Sequence, residues 1–131
     1  MLTLEKGIKI TLQETVTNEN TAATLGSGSL PVYGTPAMIA LIEKSAVELV
    51  KDYLPEETTT VGTKLDVQHV SATPLGMQVS CTCTLIGIDR RRLVFEVEVR
   101  DEAGVIGTGT HERFMVEADS FLKKTEGKNN Q

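Results

Sequence analysis

Apolar residues recur at every second position through most of this chain and at helical spacing in one stretch only. The two periods divide it into strands and a single long helix. Ile8, Ile10 and Leu12 alternate with polar neighbours across residues 7–17, the pattern of a strand with one buried face. Four further alternating runs cover residues 60–72, 77–88, 92–101 and 105–117. Short turn sequences separate them: the segment 55–59, Thr73-Pro-Leu-Gly, the basic Asp89-Arg-Arg-Arg and Asp101-Glu-Ala-Gly. Residues 18–33 predict a long loop around Gly26-Ser-Gly, and the polar residues 123–131 a disordered tail. One helix against an antiparallel sheet is an α+β arrangement. The helix carries so much apolar surface that its expected place is along the concave face of the sheet.

Residues 34–54 form that helix. Thr35 is a capping residue type, and Pro36 suits the first helical position, where its missing N–H costs nothing. Projected at about 100° per residue, Ile39, Ile42, Ala46, Leu49 and Val50 fall on one arc, with Lys44, Glu48, Lys51 and Asp52 opposite. Glu43 falls inside the apolar arc. A carboxylate there loses hydration, which raises its pKa unless a partner or water compensates, and such groups concentrate at functional sites. The bland alternative is a side chain that reaches solvent or pairs structurally. The run 60–72 poses the same question, because Val61, Thr63, Leu65, Val67, His69 and Ser71 share one face and His69 points with Leu65 and Val67. A core histidine of this kind is open to a structural and a catalytic reading. His111 is out of phase with Phe114 and Val116 and is assigned to the surface or an interface.

Composition narrows the function classes. The 131 residues are 40% hydrophobic and 24% charged, ordinary for one domain with its own core. A net charge of −5 argues against nucleic acid as a partner, and no apolar run approaches membrane-spanning length, so neither nucleic acid nor membrane is expected. Residues 1–17 alternate instead of showing a basic start and an apolar segment, so no secretory signal is read and the cytoplasm is the expected compartment. Cys81 and Cys83 lie two apart and in phase with Met77, Val79 and Leu85. A bridge between them is geometrically poor and no other ligands cluster with them, which predicts buried free thiols and no metal. Gly26-Ser-Gly lacks the ending of a phosphate loop and does not follow a buried strand, so nucleotide binding is rejected there.

Several motifs in order carry a resemblance: Thr35-Pro-Ala-Met, Glu43 eight residues on, Val61-Gly-Thr, His69-Val-Ser-Ala-Thr-Pro-Leu-Gly-Met and Gly107-Thr-Gly-Thr-His-Glu-Arg-Phe. Together, over roughly residues 5–122, they resemble the single-domain hot-dog thioesterases of the fluoroacetyl-CoA thioesterase-like family. The resemblance implies a hot-dog fold with one central helix wrapped by a five-stranded antiparallel sheet, as a single domain over residues 1–122 before the tail 123–131. It implies a homodimer, or a dimer of dimers, that hydrolyses an acyl-CoA thioester without a cofactor. The family's catalytic residues match Thr35, Glu43 and His69, and its backbone-contributing glycine matches Gly62. In those roles Glu43 attacks the thioester carbonyl or activates water, His69 passes a proton to the leaving thiolate, and Thr35 positions Glu43, the water or the carbonyl oxygen. The N–H of Gly62 or the helix start serves the oxyanion. Eight helical residues rise about 12 Å, so Thr35 is expected to meet Glu43 and His69 of a partner subunit. Arg90, Arg91, Arg92 and Arg113 are candidates for the phosphates of coenzyme A by charge alone, Arg91 and Arg113 foremost. Members specialised for fluoroacetyl-CoA carry bulky aromatics where this chain has Gly26-Ser-Gly-Ser-Leu30, so the expected substrate is a short or medium acyl-CoA. The competing readings are a non-catalytic acyl-CoA-binding module and a hot-dog hydratase or dehydratase.

Overall fold

In the computed structural model, which describes residues 3–130, the elements in chain order are β1 (Lys9–Thr15), α1 (Ala22–Leu25), α2 (Thr35–Val50), β2 (Thr58–His69), β3 (Gln78–Asp89), β4 (Arg92–Asp101), β5 (Val105–Glu117) and α3 (Ala118–Glu126). Met1 and Leu2 of the expected domain and Gln131 of the expected tail lie outside the described residues. The strands form one antiparallel sheet in the order β1-β3-β4-β5-β2, which leaves β1 and β2 at its edges. Val79, Cys81, Cys83 and Leu85 of β3 and Leu93, Phe95, Val97 and Val99 of β4 turn to one face and are at most 2% exposed. The helix α2 lies across this face, as its apolar surface requires. Both cysteines are free and buried, and burial pushes the Cys83 thiol up to about 12.

Four details differ from the sequence pattern, and three of them shape the site. The buried positions of α2 are Ala37, Met38, Leu41, Ile42, Ser45, Ala46, Leu49 and Val50, a stripe centred roughly a quarter turn from the arc drawn above. Ser45 can face inward because its hydroxyl donates to the Leu41 carbonyl at 2.7 Å. Glu43 therefore stands at the margin of the buried stripe, beside half-buried Ile39 and Val47 and exposed Ala40. Second, Gly34 is the N-cap and offers no side chain, so Thr35 is the first helical residue and its hydroxyl is not used as a cap.

Third, the pairing of β2 with β5 breaks register between Gly62 and Lys64. The extra residue moves the inward face from even to odd positions: Gly62 pairs with Arg113, and beyond the bulge Leu65, Val67 and His69 pair with His111, Gly109 and Gly107. Val61 pairs with Phe114 and belongs to the outer face. Fourth, the helix α3 extends through residues 123–126, where polarity suggested a disordered tail, and a short turn of 3-10 helix, Gly127–Asn130, follows. The Glu117 side chain accepts from the Ser120 N–H, with Asp119 in the first turn and Lys123 and Lys124 in the last, the charge order that complements a helix dipole. The expected loop likewise contains short helices, capped by the side chains of Thr17 and Thr21.

Candidate active site

The first cluster forms where β2 ends and α2 begins. His69 is the last residue of β2, and its Nδ1 lies 2.7 Å from Oγ1 of Thr35. Backbone bonds hold both ends in place: the Tyr33 N–H donates to the Thr73 carbonyl at 2.9 Å, and the Val70 N–H donates to the Ile106 carbonyl at 2.7 Å. Tyr33 is 1% exposed and presents its ring edge-on to the imidazole, with centroids 6.4 Å apart, while its hydroxyl donates to the Glu14 carboxylate. Burial and that carboxylate both raise the phenol's pKa, so it stays protonated. A cavity of about 260 Å³ opens here, lined by Ala22, Ser27, Val32, Tyr33, Thr35 and His69 among others. Desolvation lowers the pKa of His69, which keeps the imidazole neutral at pH 7. Its Nε2 is buried and has no hydrogen-bond partner among the described residues. A neutral imidazole bonded to a hydroxyl beside a cavity is a pair suited to proton transfer.

The second cluster surrounds Glu43. Arg113 Nη1 donates to Glu43 Oε2 at 3.2 Å, and the Glu43 side chain keeps 41% of its surface exposed. The arginine itself is buried. Its Nε donates to the Thr60 hydroxyl at 2.9 Å and its Nη2 to the Thr60 carbonyl at 3.0 Å. His111 completes the set: Nδ1 lies 2.8 Å from the Lys64 carbonyl and Nε2 lies 3.2 Å from Arg113 Nη1. Because a carbonyl only accepts, Nδ1 must carry the proton, and Nε2 is left to accept from the guanidinium. Desolvation lowers the pKa of this histidine too, consistent with that neutral tautomer. Gly62 closes the cluster from β2, since a Cβ there would stand 2.7 Å from Glu43 Oε2. Glycine is what lets the strand approach the carboxylate so closely.

Thr35 and His69 thus meet within one chain, which corrects the expectation that Thr35 reaches His69 of a partner. Glu43 and Gly62 also meet, but about 12 Å further along the helix from Thr35. Arg113 is not a rim cation: it is 6% exposed and committed to Glu43 and Thr60. His111 is 1% exposed and not at the surface, because Phe114, with which it is out of phase, is on the outer face and His111 pairs with the inward Phe95. Arg91 is exposed and takes no part in either cluster. Tyr33 and the supporting Thr60 were not singled out from sequence. Neither carries a periodicity signal, since one lies in a loop and the other precedes the bulge. Three exposed carboxylates, Glu57, Glu117 and Asp119, lie within 4.8 Å of one another, and none belongs to these clusters.

Comparison with known proteins identifies the family of the chain. The family model of the fluoroacetyl-CoA-specific thioesterases matches residues 16–119. A fluoroacetyl-CoA thioesterase from Streptantibioticus cattleyicolor is 35% identical over 97 residues, which are 74% of this chain and 70% of that protein. The crystal structure of a point mutant of a fluoroacetyl-CoA-specific thioesterase superposes with a TM-score of 0.92 at 29% identity, over 98% of this chain and 99% of the other. A crystal structure of such a mutant in complex with fluoroacetate and CoA gives 0.86 at 30% identity, over 90% and 99%.

Proposed function

The chain belongs to the fluoroacetyl-CoA-specific thioesterase family and is a thioester hydrolase with the hot-dog fold; from that premise we propose that it cleaves short or medium acyl-CoA at a Thr35, Glu43 and His69 site completed across a homodimer. The observation that carries the site is the 2.7 Å contact between Thr35 and His69 at the mouth of a cavity. The acyl carbonyl enters beside Thr35, and attack by oxygen breaks the C–S bond. Either Glu43 of the partner subunit attacks, giving an anhydride that water opens, or it removes a proton from the attacking water. His69 and the Thr35 hydroxyl relay the proton to the leaving thiolate, and the N–H of Gly62 or the start of α2 receives the oxyanion. The cavity walls Ala22, Ser27 and Val32 are small or aliphatic, and the preceding loop reads Gly26-Ser-Gly-Ser-Leu30. Room for more than a two-carbon acyl group follows from that lining.

Two features support the second subunit. The outer edge of β2 is open, and on its inner face Leu65 is 38% exposed. Next to it the half-buried flank of α2, with Ile39 and Val47, surrounds Glu43 with apolar surface that the described residues cover only in part. Antiparallel pairing of two β2 edges about Leu65 and Asp66 sets Gly62 of one strand opposite His69 of the other and carries Glu43 toward the Thr35–His69 pair.

Thiol release over an acyl-CoA panel tests the reaction, with Glu43→Gln and His69→Ala expected to lose it. No release from any substrate by the unmodified protein would favour an acyl-CoA-binding module instead, and equal rates in all three would refute the site. Mixing Thr35→Ala with Glu43→Gln subunits tests the shared site. One site of each mixed dimer then keeps all three side chains, so activity returns; a mixed dimer as inactive as its parents sinks the shared site.

A further inference from the structure

We propose that the groove between the β3–β4 turn and α3 holds the nucleotide end of coenzyme A, an adenine ring stacked on phenylalanine with phosphates on Arg91 and Lys124. The inference rests on the acyl-CoA reading above and assigns a subsite that the reacting residues do not provide. The groove measures about 370 Å³ and is lined by Arg91, Phe114, Met115, Ser120, Phe121 and Lys124 among others.

Three observations single it out. The chain has three phenylalanines; Phe95 is buried in the core, and the other two both line this groove, Phe114 at 40% and Phe121 at 41% exposure. Apart from Val94, the rest of the outer face of β4 and β5 is polar, with Glu96, Glu98 and Arg100 on one strand and Thr108, Thr110 and Glu112 on the other. An exposed aromatic pair on such a face is a platform for a planar ring. Second, Arg92, Arg100 and Arg113 each sit on a carboxylate, whereas Arg91 and Lys124, like most of the lysines, have no ion-pair partner among the described residues, and these two line one groove with the phenylalanines. The one carboxylate in the lining, Glu117, caps α3 and is ionised with Glu57 and Asp119 close by, so the phosphates belong at the Arg91 and Lys124 side of the groove. Third, the turn that presents Arg91 holds Arg90 at φ 58°, a left-handed conformation that asparagine or glycine adopts at less cost. The Arg91 carbonyl is tied to β5 by the Met115 N–H at 2.8 Å, so the basic turn is fixed over the groove.

The dimer makes the distance workable. Along one chain, Phe114 lies seven residues of β5 from the Gly107 that pairs with His69, about 24 Å. In the proposed pairing, Val61 of the partner subunit, whose cross-strand neighbour is Phe114, stands opposite Val70. The partner's Phe114 is then about two strand spacings, roughly 10 Å, from His69, a span for the pantetheine arm around the end of the sheet.

The test compares one acyl group carried on CoA and on pantetheine, which lacks the nucleotide. The double variant Arg91→Ala with Lys124→Ala, and Phe121→Ser separately, are expected to raise KM for the CoA ester about tenfold while kcat holds and pantetheine ester turnover is unchanged. The KM for the CoA ester in the unmodified protein should also rise with salt, and less so in the double variant. Arg100→Ala on the same face is the control and should change nothing. Equal effects on both esters, or no effect on either, overturn the subsite. Calorimetric binding of adenosine 3′,5′-bisphosphate reads the groove independently of turnover: weaker binding in the double variant supports the subsite, and unchanged or absent binding overturns it. If the unmodified protein hydrolyses neither ester, the thioesterase reading of the substrate fails, and the calorimetry still decides the groove.

Discussion

His111 has a partner on each ring nitrogen and is 1% exposed, whereas His69 has one partner, the Thr35 hydroxyl, and one buried nitrogen with none. Both face the inner side of the same sheet, on neighbouring strands. Both are kept neutral by desolvation. The difference lies in what surrounds them. The first is enclosed by a carbonyl, a guanidinium and the ring of Phe95, at 6.1 Å, and its bonding is complete. The second borders a cavity, beside a hydroxyl that the helix start does not need. Unfinished bonding next to open space marks a reacting group better than burial or phase does. The finished set has a supporting task instead, since it holds Arg113 against Glu43.

The contrast is broken most directly by mutation. His69→Ala and Thr35→Ala should each lower kcat/KM by about 10²–10⁴-fold, with a thermal midpoint close to that of the unmodified protein. Gly62→Ala should follow at about 10²-fold, because the new methyl displaces the Glu43 carboxylate while leaving its charge in place; steady-state kinetics on the best acyl-CoA reads both. His111→Leu should do the reverse. It leaves the Lys64 carbonyl and one guanidinium N–H unpaired, costing about 1–3 kcal/mol in denaturant unfolding, while folded protein still turns over. Turnover abolished in folded His111→Leu and retained in His69→Ala would overturn the division of roles.

The pH dependence sharpens the same point. Unfolded histidine takes up its proton near the ordinary 6.5, and the desolvated folded histidines do so at lower pH. The unfolded state therefore binds more protons below 6.5, so stability from both groups is complete above that pH and is lost as pH falls through the folded values. Thermal midpoints should fall on acidification below 6.5, and less steeply in His111→Leu. The acid limb of kcat/KM should likewise lie below 6.5 and persist in His111→Leu, since it belongs to His69. The smallest effect is expected for Ser45→Ala, within about 1 kcal/mol by thermal unfolding, because its hydroxyl serves only the Leu41 carbonyl.

Much of the architecture was legible from periodicity. The runs at 92–101 and 105–117 are strands over those residues, and the inward set of β3 and β4 is the one that alternation marks. The long helix, the buried thiols and the α+β class follow from the same regularities. Less visible were the capped helix at 118–126, whose short apolar stripe of Ala118, Phe121 and Leu122 buries no residue, and the face of α2. There a buried serine counts as core and an alanine as surface, which no projection of apolarity shows.

Glu43 and His69 could be singled out because each is polar on a face otherwise apolar, and local spacing is enough for that. Their partners could not be named the same way. Thr35 meets His69 because Gly34 takes the capping position, and Arg113 meets Glu43 because one inserted residue in β2 turns Gly62 inward beneath them. Period and composition are properties of neighbours along the chain, so the sequence by itself determined the five strands, the long helix, the inward face of β3 and β4 and which residues are out of keeping with their neighbours. Which odd residues touch depends on register between strands distant in sequence, and a single bulge reverses it. Only the folded sheet decided that.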